Sequence, residues 1–242
     1  MTRQVNMPGK AAGTLGERLA RIIFEPIPQP RPALVVDLHT DWTRSIPYAL
    51  IDAPPPAHRP DRATGDCTPD IHGKTASIAF ECHLPVIRDS EILHRSLSQS
   101  LLREGICAFT LEMGESYIIN EKNILVGVAS ISEMLVNLGI LDASVKKGMP
   151  DTGHRLPDMI AGKILDYRQR PYSSSSGILR FLAKPGDIIS PGQPVGRIYN
   201  AFGKLVETMR AECAGMVLGH ADSSMAYPGM PVMAFGCLKQ DQ

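Results

Sequence analysis

The sequence has little of several features that mark particular classes of protein. Its 242 residues include one Trp and 5% aromatic residues, and 25 Lys+Arg balance 25 Asp+Glu to a formal net charge of +0. A chain without excess positive charge lacks the basic surface typical of nucleic-acid-binding proteins. No run approaches the roughly 18 uninterrupted apolar residues of a membrane-spanning helix, and the polar start has no apolar signal-peptide core. We therefore expect a cytoplasmic protein that binds neither nucleic acid nor a membrane.

The cysteines are few and irregularly spaced, with no CxxC pair; they are Cys67, Cys82, Cys107, Cys213 and Cys237. In a chain without an export signal, this pattern favours reduced thiols. Cys82 and His83, with His72 and Cys67 nearby, could be interpreted as a metal cluster. Neighbouring side chains rarely close on one ion, however, and the spacing matches no common zinc pattern. A buried thiol beside a loop histidine is the preferred interpretation.

Helical and strand-like segments alternate along the first 140 residues. The segment 14–17 (TLGE) has the form of a capping box and starts a helix that ends at the prolines 26 and 28. Short apolar runs at 33–38 and 106–111 predict buried strands. Ser90 is predicted to cap a second helix that ends at Gly105, and a third is predicted over 121–138. This order predicts an α/β layer with a mostly parallel sheet and flanking helices.

The inner stripe of the third helix is predicted from its spacing to be Ile124, Val128, Ile131, Leu135 and Leu138.

His39 and Glu112 each stand where a predicted strand ends. In sheets of this kind, ligands bind beyond the carboxyl ends of the strands. Two protonatable groups at one edge therefore form a candidate site. The alternative is that His39 caps a strand and Glu112 pairs with a surface base.

The rest of the chain divides by composition. The stretch 47–70 is rich in Pro and predicts a long loop, with no lasting regular structure. From Gly177 onward, short β-like runs alternate with Pro-Gly turns, which predicts a small all-β sandwich or partly open barrel. The predicted organisation is an α/β domain over 1–150, a linker over 151–176 and a C-terminal β domain over 177–242.

Several motifs, in order, resemble the succinylglutamate desuccinylase/aspartoacylase family of the zinc carboxypeptidase clan. The segment 7–20 (MPG, then GTLGERLA) is similar to the family's F-P-G stretch and the helix that follows. The segment 35–40 (VVDLHT) resembles its D-L-H segment, and 105–114 (GICAFTLEMG) resembles its strand ending in E-x-G. The Gly/Pro-rich tail resembles its C-terminal β domain.

This resemblance implies a zinc-dependent deacylase that hydrolyses the amide bond of an N-acyl amino acid or a similar small acyl amide. His39 would be a zinc ligand and Glu112 the general base. The zinc would polarise the scissile carbonyl, while the carboxylate takes the proton of the attacking water. A zinc-bound imidazole needs an orienting partner for its second nitrogen. Asp37 is not expected to serve, because its direction depends on how the strand ends.

The sequence departs from the family pattern at its start. Family members carry an H-x-x-E pair before F-P-G that supplies two further zinc ligands, and no such pair precedes His39 here. Gln4 and Val5 stand where the family has an Asn-Arg pair. We therefore expect an N-terminally incomplete member that lacks the first strands and two of three metal ligands. The remaining histidines are predicted to be solvated or structural; they are His58, His72, His83, His94, His154 and His220.

Two other functions stay open. The chain could be a non-catalytic remnant of the family that oligomerises or binds a small acid. Alternatively, the tail could be a lipoyl- or biotinyl-like carrier with Lys204 as the modified residue, although the usual Met or Asp flanks are absent. No G-x-S-x-G elbow or phosphate-binding Gly-rich loop favours a different chemistry.

Overall fold

The fold is available as a computed structural model that describes residues 7–54, 69–89, 96–149, 151–221 and 223–239. The helices in these ranges are α1 Leu15–Phe24, α2 Pro69–Phe80, α3 Leu97–Arg103 and α4 Glu121–Asn137, with a 3₁₀ helix at Ala143–Gly148. The strands in the same ranges are β1 Leu34–His39, β2 Arg44–Ser45, β3 Pro47–Asp52, β4 Val86–Asp89, β5 Cys107–Met113, β6 Ile164–Arg168, β7 Gly177–Phe181, β8 Ile188–Ile189, β9 Pro194–Tyr199, β10 Leu205–Arg210, β11 Gly215–His220, β12 Met225–Ala226 and β13 Met233–Cys237.

The larger of two sheets has nine strands in the order β1-β5-β3-β4-β6-β13-β11-β2, with β8 also beside β11. This confirms the predicted α/β class with flanking helices, but the sheet is mixed. Among the described strands, the pairs β1–β5, β3–β4 and β4–β6 are parallel, whereas β3–β5 is antiparallel. The connection from β1 to β3 is too short for the crossover that a parallel strand requires, so β3 runs in the opposite direction.

The smaller sheet contains four antiparallel strands in the order β10-β9-β7-β12. The tail of the chain is therefore rich in strands, as predicted. Its hydrogen bonding nevertheless crosses the predicted boundaries: β6 lies in the predicted linker and, like β8, β11 and β13, belongs to the larger sheet. The domain boundaries at 150 and 176 stay a prediction.

Helices cover both faces of the larger sheet. Ala20 and Phe24 of α1 pack with Leu101 of α3 against Ala108 of β5. On the other face, α2 and α4 cover Phe109, the next residue of β5. Successive side chains of a strand point to opposite faces, so β5 is buried from both sides.

The capping box that begins α1 is confirmed. The Thr14 Oγ1 atom accepts a hydrogen bond from the Glu17 backbone N–H, and the Glu17 carboxylate accepts one from the Thr14 N–H at 2.9 Å. The predicted start of the second helix, Ser90, lies outside the described residues. Ser96 caps α3, because its hydroxyl accepts from the Gln99 N–H at 3.0 Å.

The predicted inner stripe of α4 is wrong at three positions. Ile124, Val128 and Leu138 are 45%, 56% and 37% exposed. The buried residues of this helix are instead Val126, Gly127, Ser130 and Met134. Apolar residues surround much of the helix, so its spacing alone could not select the inner face.

The prediction of a long loop over 47–70 is wrong for its first six residues. Pro47–Asp52 forms β3, a buried strand between β5 and β4. Proline is tolerated at the first position of a strand, where its missing N–H removes no required ladder bond. The prediction is also wrong for its last two residues, because α2 begins at Pro69. Residues 55 to 68 lie outside the described residues.

The prediction of reduced thiols is wrong for two cysteines. Cys213 and Cys237 form a disulfide that joins the turn before β11 to the end of β13. Cys82 and Cys107 are free and buried, and Cys67 lies outside the described residues. Burial raises the pKa of the Cys82 thiol to about 12, with a smaller contribution from Glu81. Within the described ranges, no helix has the length and apolar character needed to cross a membrane.

Candidate active site

Glu112 lies between two polar side chains in a row across three adjacent strands. It is opposite His39 of β1 on one side and opposite Tyr48 of β3 on the other. Directly opposite residues point to the same face of a sheet, so the three side chains share one surface at the carboxyl ends of β1 and β5. Glu112 is 1% exposed and Tyr48 is 0% exposed. The predicted pair is therefore brought together at one strand edge.

Asp37 contacts His39 directly. The His39 Nε2 atom lies 3.1 Å from the Asp37 Oδ2 atom, and the two side chains are 32% and 24% exposed. The expectation that Asp37 would not orient His39 is wrong. Residues two apart on a strand share a face, and because β1 continues through His39, both side chains stay on the same face as Glu112.

A second carboxylate, Asp41, connects the strand ends. Its Oδ2 atom accepts a hydrogen bond of 2.5 Å from the buried Tyr48 hydroxyl, and its backbone N–H donates to the Gly114 carbonyl at 3.1 Å. Asp41 therefore joins the segment after β1 to both β3 and the end of β5. The sequence analysis did not identify Tyr48 or Asp41; the pattern Asp-Leu-His-Thr-Asp was the available signal for Asp41.

Gly114 gives the loop after Glu112 its shape. Its φ is +93°, a conformation that favours glycine, and an added Cβ would lie 2.3 Å from the Asn123 Nδ2 atom of α4. The backbone can therefore turn away from β5 while α4 packs against it.

Charged and amide groups form the rim beyond this turn. The Arg44 guanidinium lies 3.4 Å from the Glu115 Oε1 atom, and the Asn120 amide donates to Glu115 Oε2 at 2.5 Å. Asn120 also caps α4 by accepting from the Lys122 and Asn123 N–H groups. These contacts hold the loop after β5 between the start of β2 and the start of α4.

The other described histidines do not join this row. His72 hydrogen-bonds the backbone of Asp52, which lies at the other end of the strands from Glu112, and burial lowers the pKa of His72. His83 lies 3.2 Å from the Glu133 carboxylate, and His220 stacks on Phe181 with ring centroids 3.9 Å apart.

His154 has a lowered pKa because it is partly buried and because Lys122 is nearby. His58 and His94 lie outside the described residues.

The described residues do not fit a complete zinc site. In the ranges that the structure covers, no three His, Cys, Asp or Glu side chains are grouped so that they could hold a metal ion. A catalytic zinc is normally held by three protein ligands and a water. The Asp37 contact is of the kind that orients a metal-ligating histidine, but the role of His39 as a zinc ligand stays a prediction.

The chain has the α/β fold of the succinylglutamate desuccinylase/aspartoacylase proteins. It matches EutE (DoeB), an ectoine utilization protein from Ruegeria pomeroyi, with a TM-score of 0.68 and 19% identity over 98% of this chain and 70% of that chain. A succinylglutamate desuccinylase/aspartoacylase from Rhodobacter sphaeroides matches with a TM-score of 0.69 and 18% identity over 99% and 68% of the two chains. An aspartoacylase family protein from Mesorhizobium loti matches with a TM-score of 0.65 and 20% identity over 99% and 68%.

No family model matches the chain, and no curated protein matches it. The chain spans about two thirds of the length of the solved structures named above.

Proposed function

We propose that this protein is an amide hydrolase, a deacylase acting on an N-acyl amino acid or a similar small acyl amide. The observation that carries the proposal is the register of β1 and β5, which places His39 directly opposite Glu112 at the carboxyl ends of the two strands. The resemblance of the sequence motifs to the deacylase family and the shared fold support the same chemistry.

Glu112 is proposed as the general base. A carboxylate at this edge would take a proton from the attacking water and pass it to the leaving amine, so that the acid and amine products separate. Glu112 is buried beside Tyr48, at a defined register position of the sheet. Such placement matters because proton transfer requires hydrogen-bond distance between the base and the water.

His39 is proposed as a metal-binding residue, with Asp37 holding its ring in place. The described residues supply no complete set of metal ligands. Zinc dependence is therefore proposed on the basis of His39 alone. The steps assigned to this chain are the proton transfer at Glu112 and the orientation of His39 by Asp37.

The test is a hydrolysis assay of the purified chain, with and without added zinc, on N-succinyl and N-acetyl derivatives of acidic amino acids. Release of the free amino acid above the uncatalysed rate is the expected result. Release that is absent for every substrate under both conditions would contradict the proposal and favour the non-catalytic remnant.

One observation keeps the carrier function as a second candidate. Lys204 is exposed in the turn between β9 and β10, where the Asn200 N–H donates to its carbonyl at 2.9 Å. An exposed hairpin lysine is the site that a carrier would modify. An intact mass equal to that of the unmodified chain, after expression in the native host, would exclude this function.

A further inference from the structure

Two polar residues from distant parts of the chain lie side by side where β2 meets β11. In the antiparallel register of these strands, His220 is directly opposite Arg44. Directly opposite residues in an antiparallel pair have Cβ atoms about 4.5–5.5 Å apart and share one face of the sheet. These two neighbours, Arg44 and His220, form the rim pair.

The rim pair lies at the border of the candidate active site. The Arg44 Nη1 atom is 3.4 Å from Oε1 of Glu115, in the loop that follows Glu112. Along its own strand, Arg44 precedes Tyr48 by four residues, and Tyr48 is directly opposite Glu112. At roughly 3.3 Å per residue, the backbone separation between the rim pair and the row at Glu112 is at most about 13 Å. Such a separation accommodates a small acyl amide together with the side chains at its two ends.

His220 is held in one orientation by two contacts. Its ring stacks on Phe181, with centroids 3.9 Å apart and an interplanar angle of 21°. Its Nδ1 atom lies 2.8 Å from the Ala221 carbonyl oxygen, which can only accept a hydrogen bond, so Nδ1 is assigned the proton. Within the described ranges, the opposite ring nitrogen, Nε2, has no hydrogen-bond partner. A bound group can therefore use Nε2, which donates a hydrogen bond when the ring is protonated.

The contact between Arg44 and Glu115 leaves the guanidinium open to a second acceptor. The Arg44 side chain is 56% exposed, and an exposed ion pair at 3.4 Å adds little stability because water screens it. Both oxygens of Glu115 have partners, since Oε2 accepts a hydrogen bond of 2.5 Å from the Asn120 amide. A second carboxylate can therefore approach the guanidinium, whose five N–H donors serve more than one acceptor.

We propose that the rim pair binds the carboxylate of the substrate's amino-acid half, with Arg44 supplying the charge and protonated His220 a hydrogen bond from Nε2. Such a substrate follows from the proposed deacylase function, on which this inference rests. A carboxylate bound by charged donors forms strong hydrogen bonds, and a neutral amide in its place does not. The rim pair thus selects acyl amides that carry a free carboxylate over the matching neutral amides.

Binding titrations with the Glu112→Gln chain test the rim pair without turnover. The probes are N-acetylglycine and its neutral amide, which differ only in the carboxylate. The acid is expected to bind at least about tenfold more tightly than the amide, because hydrogen bonds to charged groups are the stronger kind. Adding Arg44→Gln or His220→Gln is expected to remove most of this preference while the amide binds as before. Arg197→Gln is the matched control, because Arg197 is exposed on β9 of the smaller sheet.

Equal binding of acid and amide, an acid preference that survives Arg44→Gln, or an equal loss with Arg197→Gln would overturn the inference. A preference that falls with Arg44→Gln and not with His220→Gln would overturn the role of His220. Since the Arg44 side chain is more than half exposed, Arg44→Gln is expected to keep the melting temperature, so that misfolding does not explain lost binding. Hydrolysis separates the two proposals. A chain that binds the acid through Arg44 but hydrolyses no acyl amide would contradict the deacylase function alone.

Discussion

At the scale of single residues, Glu112 is itself buried and has a polar side chain on each side. His39 and Tyr48 flank it on neighbouring strands, and each is held by its own carboxylate, Asp37 and Asp41. Carboxylates thus fix the imidazole and the phenol beside the proposed base. Flanking groups held in this way do not need to reorganise when the base accepts a proton.

Asp37→Asn tests the role of this contact. Asparagine preserves the shape but removes the charge that favours one orientation of His39, so we expect kcat to fall about 10–100-fold with little change in KM or melting temperature. Asp158→Asn, an exposed aspartate, is the control and is expected to leave kcat unchanged. A fall in melting temperature that matches the fall in kcat would indicate a structural role for Asp37 instead.

His72 and His154 give the chain a predicted pH dependence of stability. Burial lowers the pKa of both below the ordinary value of 6.5, with Lys122 contributing at His154. The unfolded chain therefore takes up protons first as pH falls below about 6.5, and the free energy of unfolding decreases there. Denaturant titrations between roughly pH 8 and pH 5.5 should show this loss, and the double variant His72→Gln/His154→Gln should reduce it. An equal loss in the double variant would contradict the assignment.

At the scale of elements, the strongest local patterns predicted structure well. The capping box at Thr14, the strand before His39 and the strand ending at Glu112 are all present, because each is specified by its own neighbours in sequence. The strands β3, β4 and β6 were missed because Pro-rich or polar segments flank them. Their conformation depends on pairing with distant strands, which local periodicity does not record.

Gly114→Ala tests the element that carries Glu112. The left-handed φ and the close Asn123 amide both oppose a Cβ, so we expect destabilisation of about 1–3 kcal/mol. Gly73→Ala is the matched control, since Gly73 lies within α2 with nothing within 4 Å of an added Cβ. The control is expected to keep or raise the melting temperature. Equal melting temperatures for the two variants would contradict the account of this turn.

At the scale of the whole molecule, the row at Glu112 depends on distant segments. The β1–β5 register sets His39 against Glu112, while β3 returns antiparallel to supply Tyr48. The sequence predicted the two strand-end residues because they follow recognisable strands. It could not predict the Tyr48 and Asp37 contacts, which require the direction of β3 and the exact end of β1. The Cys213–Cys237 disulfide also depends on residues far apart in the sequence, because its partners are separated by 24 residues, and it was not predicted.

The most direct test of the account is the ratio of kcat/KM between the wild-type chain and Glu112→Gln on the best N-acyl amino acid substrate. Loss of a general base is expected to lower kcat/KM by about 10²–10⁴-fold without a change in melting temperature. Glu121→Gln, an exposed carboxylate at the start of α4, should leave kcat/KM unchanged. Equal kcat/KM values for the wild-type chain and Glu112→Gln would contradict the central claim that Glu112 acts as the base.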